Sequence, residues 1–240
     1  MEKKPPVSTA LEILLSVDSQ IGDRQKVVLL GAGGHAKVVL DALRAQGIRV
    51  DGVVDPELAK TESVWRALSV LGSDADLLKL DPKDFLVANG VGSLPGNYLR
   101  QKLFKKFKSA GFNFLSVVHP STFIGSGVVL GEGVQIMAGS IIQPDCQVGN
   151  NSIVNTGATL DHDCMIGEDV HIAPGVTVSG NVLIEDGVHI GTGASIIQGV
   201  TIGRETVIGA GTVVVKSVPE YSKLIGIKPR LKIAGNESDL

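Results

Sequence analysis

Cysteine, aromatic residues, charge surplus and long apolar runs are all scarce in this sequence, and each shortage excludes something. The two cysteines, Cys146 and Cys164, lack the spacing of a zinc knuckle or a redox pair, and two thiols do not make a disulfide framework. Aromatics at 4% point to a core of small and β-branched side chains. With 22 Lys and Arg against 25 Asp and Glu, the net charge is -3 and the pI near 5.9. No global basic field is available, so neither nucleic acid nor an anionic membrane is expected as a partner, and an anionic ligand must be held locally. The start, MEKKPPVSTALEILLSVDSQ, has a short apolar run broken by Glu12 and no cleavage-site pattern, and no long apolar span follows, which points to the cytosol. At 43% hydrophobic, 240 residues can bury a substantial core in one or two domains.

What is present is a period. From Val118 an aliphatic residue recurs every six positions: Ile124, Leu130, Ile136, Ile142, Val148, Val154, Leu160, Ile166, Ile172, Val178, Ile184, Ile190, Ile196, Ile202, Ile208 and Val214. Four residues after each lies a small or β-branched side chain, such as Val128, Ser140, Cys146, Ala158, Cys164 or Thr206. A helix needs a period of about 3.6 and a plain strand about 2, so six marks short strands joined by turns and stacked as a parallel β-helix of hexapeptide repeats. Three hexads per triangular coil would stack residues eighteen apart, separated by about 4.8 Å. Cys146 then lies under Cys164 in an interior column. Glycines that follow many of the aliphatics, among them Gly125, Gly149, Gly167 and Gly191, are read as turn residues. No hexad is interrupted, so a site must be built from the solenoid surface and a neighbouring subunit.

The first part reads differently. KVVLLGAGGHAKVVLDALRAQGIRVDGVVD is a strand, a glycine turn, an amphipathic helix and a second strand, followed by FLVANG as a strand and LRQKLFKKFKSAG as a helix. This predicts a small Rossmann-like parallel sheet, too short for two mononucleotide-binding halves. Gly31-Ala32-Gly33-Gly34-His35 lies between strand and helix, where glycines let a ligand approach the backbone and the helix N-terminus offers free N–H groups to a phosphate. Three readings stand: a nucleotide or nucleotide-sugar, NAD with Asp55 reaching a ribose hydroxyl, or a tight turn without a ligand.

Polar residues break the apolar repeat at Asn155-Thr156, Asp161-His162-Asp163, His171 and His189. His162 has a carboxylate on either side, which favours its protonated form and raises its basicity, making it a candidate general base. His171 and His189, eighteen apart, share one column; a zinc site there lacks a third ligand, and no metal is expected. His189 alone reads as a stacked surface residue.

The combination of GAGGHAKVV, VVHPSTFIG and NTGATLDHDCMIGEDVHIAPGVTVSGNVLIEDGVHIG resembles the NeuD/PglD-type sugar acetyltransferases of bacteria, over about residues 26 to 230. The resemblance implies a left-handed β-helix, a homotrimer with sites between subunits, acetyl-CoA as co-substrate and a nucleotide-linked amino sugar as acceptor. It implies residues 1–25 as an extension, 26–117 as the nucleotide-sugar-binding domain, 118–216 as the acetyltransferase β-helix and 217–240 as a tail. By motif, His162 matches the general base and Asp163 its acidic neighbour; Asn155, His171, Gly180 and Ala210 match positions near acetyl-CoA, with the Gly180 N–H an oxyanion donor. Gly33, Gly34, His35, Asp55 and Gly90 match nucleotide-sugar contacts. The sequence departs from its relatives at Pro56, at Ala210 where a relative has glycine, in VGSLPGN after Gly90, and in the tail GIKPRLKI. The implied reaction is direct N-acetylation of a nucleotide-linked amino-deoxy sugar in bacterial surface glycan or glycoprotein sugar biosynthesis. Sugar O-acetylation, such as that of a sialic acid, is one alternative, and a non-catalytic nucleotide-binding regulatory protein is another.

Overall fold

The structure is a computed structural model describing residue 22 and residues 25–226. The short helix expected at Thr9 to Val17 and the tail beyond Gly226 lie outside the described residues. In chain order the first unit holds β1 (Lys26–Leu30), α1 (Gly34–Ala45), β2 (Gly52–Val54), α2 (Leu58–Thr61), the hairpin β3 (Val64–Trp65) and β4 (Leu68–Ser69), and α3 (Asp74–Leu77). It closes with β5 (Phe85–Asn89), α4 (Leu99–Ser109) and β6 (Asn113–Phe114). Helix α1 buries Ala36, Val39, Leu40 and Leu43, the three-and-four spacing of one helical face. The main sheet is parallel in the order β2-β1-β5-β6, with Leu30 paired to Val54 on one side and Asn89 on the other. The chain builds outward from β1 to β2 and then returns to the far side as β5, so a crevice opens at the carboxyl ends of β1 and β5, where such sheets bind ligands.

From Val117 the chain winds into a parallel β-solenoid with three faces. The first face stacks Val117–Val118, Gln135–Ile136, Ile153–Val154, His171–Ile172, His189–Ile190, Val207–Ile208 and Lys223–Leu224. The second runs from Phe123–Ile124 to Val213–Val214, and the third from Val129–Leu130 to Thr201–Ile202. From one coil to the next the register is eighteen residues, as in Ile153 to His171 to His189. The second residue of each two-residue strand points inward, and the periodic aliphatics are buried throughout except Leu130, which is half-buried. The residues four further on, from Val128 to Thr212, fill the corners of the core.

The glycines that follow the aliphatics answer to a different need from the one assigned to them. From Ile124 to Ile208 the left-handed backbone falls three residues after the aliphatic, on glycines such as Gly127, Gly157 and Gly175 but also on Asp145, Asn151, Asp163 and Asn181. Gly149 itself has no left-handed φ; a β-carbon there would stand 2.6 Å from the Gly167 carbonyl carbon. The glycine immediately after the aliphatic is required by the close approach of the next coil, not by the turn.

The α/β unit rests on the first solenoid face, and the outward side chains of that face are consequently buried: Gln135 is 0% exposed, Ile153 1% and His171 8%. Polar links cross the junction. The Arg100 guanidinium donates to the carbonyls of Asn89, Val91 and Asn151, Gln101 donates to Asp169, and Lys108 pairs with Glu132 at 2.8 Å. Both cysteines are buried in the solenoid, where Cys146 donates to the Asp161 carbonyl and Cys164 to that of Ser179. The adjoining Cys164 and burial push the Cys146 thiol above its ordinary range.

Candidate active site

The structure sorts the residues singled out above into three places. The first is a cleft of about 580 Å³ at the crevice of the parallel sheet. Gly33, Gly34, His35, Asp55 and Gly90 line it, and the solenoid contributes Asn155 and His171 from its first face and adjoining corner. Those last two, matched by motif to acetyl-CoA, thus share the cleft of the glycine turn. Gly31 needs its glycine for a φ of +89°, and Gly90 because a β-carbon would fall 2.8 Å from that of Ala36. Gly33 and Gly34 have open space where a side chain would go. The loop after β5 closes one side with Val91, Gly92, Ser93, Leu94, Asn97 and Leu99.

Asp55 is engaged by the chain itself. One carboxylate oxygen accepts from the Ala32 N–H at 3.0 Å, and the other from the N–H groups of Glu57 and Leu58. It clamps the glycine turn and the start of α2, and it reaches any ribose hydroxyl only through its remaining lone pairs. His35 and His171 are held neutral. Burial, then the nearby Arg100, lowers His35 to about 4 despite its hydrogen bond to Gln135. Burial, then His189, His35 and Arg100, lowers His171 to about 3. His189 does stack on His171, with ring centroids 4.8 Å apart, but the pair lies under the α/β unit, and the Nδ1 of each is buried without a partner. The reading of His189 as a surface residue is corrected accordingly. Among the described residues no three His, Cys, Asp or Glu side chains are grouped to hold a metal.

The second place is the corner between the second and third faces. His162 Nδ1 lies 2.7 Å from the Asp163 carboxylate, and both side chains are more than half exposed. Asp163 adopts the left-handed φ of 59°, which its short polar side chain tolerates. The hydrogen bond to Asp163 raises the His162 pKa above its ordinary value; desolvation opposes it, and the charges of Asp161 and Asp163 add to it. With Nδ1–H on the carboxylate, Nε2 carries the free lone pair. One coil later sits Gly180: a β-carbon there would lie 2.6 Å from His162 Nε2, so the imidazole occupies the space any other residue would need. The Gly180 N–H makes no hydrogen bond among the described residues. The third place holds Ala210 alone, exposed on the corner between the first and second faces and apart from His162.

Sequence reading missed Gln135, Arg100, Asn89 and Asn151. Gln135 on a solenoid strand and Asn151 at a solenoid corner meet Asn89 of β5 and Arg100 of α4, and these polar residues, far apart in sequence, become a buried group only where the two units dock.

A glycine-turned parallel sheet seated on a hexapeptide left-handed β-helix, with an exposed His-Asp pair beside a glycine of the next coil, defines a hexapeptide-repeat acyltransferase. Within that class the chain belongs to the NeuD/PglD-type family of sugar acetyltransferases. The PglD N-terminal domain matches residues 26–107, and the bacterial transferase hexapeptide (six repeats) matches 127–162, 145–180 and 181–216. PerB from Caulobacter crescentus, solved with CoA and GDP-perosamine, superposes with a TM-score of 0.77 at 38% identity, covering 86% of this chain and 97% of that one. The acetyltransferase domain of PglB from Neisseria gonorrhoeae FA1090 gives a TM-score of 0.77 at 32% identity, covering 84% and 97%. The UDP-N-acetylbacillosamine N-acetyltransferase of Bacillus subtilis strain 168 is 35% identical over 117 residues, which are 48% of this chain and 52% of that protein. The chain therefore spans about half the length of that curated relative, and 24% of a mimivirus protein it also matches. No helix among the described residues is long and apolar enough to cross a membrane.

Proposed function

We propose that this protein transfers an acetyl group from acetyl-CoA directly to the amino group of a nucleotide-linked amino-deoxy sugar, in the making of bacterial surface glycans or glycoprotein sugars. The observation that carries the proposal is the His162 imidazole, bound to Asp163 through Nδ1, with Nε2 in the space a side chain at Gly180 would fill and the Gly180 N–H unpaired among the described residues. A general base and an oxyanion donor on adjacent coils are what attack of an amine on a thioester requires. His162 Nε2 takes the amine proton as nitrogen bonds to the thioester carbon, the Gly180 N–H donates to the carbonyl oxygen as it becomes anionic, and the carbon–sulfur bond then breaks, with the proton on His162 passing to the departing CoA thiolate. No acyl-enzyme is needed: both cysteines are buried in the solenoid core beneath this corner, where each thiol donates to a backbone carbonyl. Acetyl-CoA complexes of the PglB domain and the CoA and GDP-perosamine carried by PerB support both substrates.

The open cleft beside Gly33 and Gly34 is the proposed nucleotide-sugar site, with the glycine turn at the phosphates. That cleft and the His162 corner lie on different edges of one chain. We propose that three copies associate so that the His162 of one subunit completes the cleft of its neighbour. Exposed apolar side chains on the second and third faces, Phe123, Ile141, Met165 and Leu183, support such packing. The test is CoA release from acetyl-CoA with a panel of nucleotide-linked 3-amino and 4-amino deoxysugars and sialic acid. One amino sugar should turn over, and His162→Ala should lower kcat by a factor on the order of 10² to 10⁴. Wild-type turnover in that variant would remove His162 from the mechanism. Turnover of sialic acid alone would move the reaction to a hydroxyl acceptor, and no CoA binding would leave a non-catalytic scaffold.

A further inference from the structure

The cleft contains a three-part hydrogen-bond chain that runs from the sheet through the solenoid and back to the glycine turn. The Gln135 Nε2 donates to the Asn89 carbonyl at 2.6 Å, and the Gln135 Oε1 lies 2.7 Å from His35 Nε2. A backbone carbonyl only accepts, so Asn89 fixes which end of the amide faces it. The amide oxygen must then face His35, and its partner Nε2 must carry a hydrogen. Gln135 is 0% exposed, so no water competes for these bonds.

His35 can meet that demand as the neutral Nε2–H tautomer or as the imidazolium. Burial and the Arg100 charge oppose the imidazolium. The neutral tautomer leaves Nδ1 as a bare lone pair, with no hydrogen-bond partner among the described residues, on a ring that lines the cleft. A bare imidazole nitrogen repels a phosphate oxygen and accepts from O–H or N–H.

We infer that Gln135 is a positioning residue that locks His35 in the Nε2–H tautomer, so that Nδ1 selects a hydroxyl or amine hydrogen on the sugar of the substrate rather than its diphosphate. The inference rests on the nucleotide-sugar reading above for the identity of the substrate, but not for the tautomer. The solenoid thereby sets the hydrogen-bond polarity of a site whose glycine turn belongs to the other unit. The glycine turn is left to the phosphates, and His35 reads the sugar.

The first measurement is made on the unaltered protein: ¹⁵N NMR of the full chain labelled at histidine, with a His35→Gln variant used only to assign the His35 resonances. At pH 7 the expected state is Nε2 protonated and Nδ1 bare, with the Nδ1 resonance moving toward the hydrogen-bonded position when GDP-perosamine or a UDP-linked 4-amino-4,6-dideoxyhexose is added. A proton on Nδ1, or on both nitrogens, overturns the inference. Gln135→Met keeps the volume and removes the amide. In a variant that melts near the wild-type temperature, the ring should become a tautomer mixture, and the KM for the turned-over nucleotide sugar should rise about 10-fold, the worth of one hydrogen bond. Its kcat and its KM for acetyl-CoA should stay within about twofold. Equal loss in all three parameters, or an unchanged tautomer, makes Gln135 merely structural and overturns the inference. A 4-deoxyamino substrate lacking one further hydroxyl separates the two donors: loss of the KM effect with that analogue assigns Nδ1 to the hydroxyl, and its retention to the amine. If wild-type protein holds the Nε2–H tautomer but binds neither nucleotide sugar, the substrate half of the inference and the nucleotide-sugar reading fail together, while the lock on the tautomer stands.

Discussion

Two histidines nine residues apart are shifted in opposite directions by their surroundings. His162 is exposed beside a carboxylate that stabilises its proton, whereas His171 is buried among an arginine and two further imidazoles that expel it. In the proposed role of general base, His162 would work only when deprotonated, so activity should fall as pH drops through a pKa above the ordinary imidazole value of about 6.5. Replacing Asp163 by Asn removes the group that raises that pKa. The acid limb of kcat/KM should then move to lower pH, and the plateau should fall about 10- to 100-fold as the base weakens. A pH-rate profile checks this, and an acid limb that stays in place would detach it from His162. The pair was legible because its members adjoin in sequence. Gln135 was not, because it acquires its meaning from His35, 100 positions earlier, and from Asn89, 46 earlier.

Each element here is stabilised by its repetition. A strand of two residues has no independent stability; it exists because identical strands lie above and below and one aliphatic from each fills the same column. Ile172 is 0% exposed at the second inward position beyond Ile136 on the first face, after Val154. Ile172→Ala should cost about 2–5 kcal/mol, lowering the melting temperature by roughly 5–15 °C. Thermal unfolding followed by circular dichroism reads it, and a melting point unchanged to within a degree would show that the column closes over the gap. The period of six made the solenoid legible as far as Val214, since every inward position up to there follows one rule; the last strand of the first face, Lys223–Leu224, pairs at sixteen residues and falls outside it. The corner glycines were legible as positions but not as causes: nothing in the string tells a left-handed turn from a coil too close for a β-carbon. The hairpin β3 and β4, with the short α2 and α3, carries no period and could not be read at all.

At the scale of the whole chain, the junction between the sheet and the solenoid joins an acid-sensitive surface to a ligand cleft. His35 and His171 have folded-state pKa values lowered to about 4 and about 3. The unfolded chain therefore binds protons first as pH falls below about 6.5, so stability is complete above that pH and is lost progressively toward 4. From these two rings the loss between pH 7 and pH 5 should be on the order of 2–4 kcal/mol, read from denaturant midpoints. His171→Gln should flatten the slope; an equal slope in both proteins would place the acid sensitivity elsewhere. A last consequence follows from the eighteen-residue register between successive coils. Such a molecule keeps its geometry by counting. Losing one residue within the repeat turns every later side chain inside out, and losing one hexad rotates the His162 edge to another side. Only a whole coil can be gained or lost harmlessly, and it slides everything beyond it by about 4.8 Å. The reach between acyl donor and acceptor is thus adjustable only in quanta, and variation in this architecture should come as whole coils or not at all.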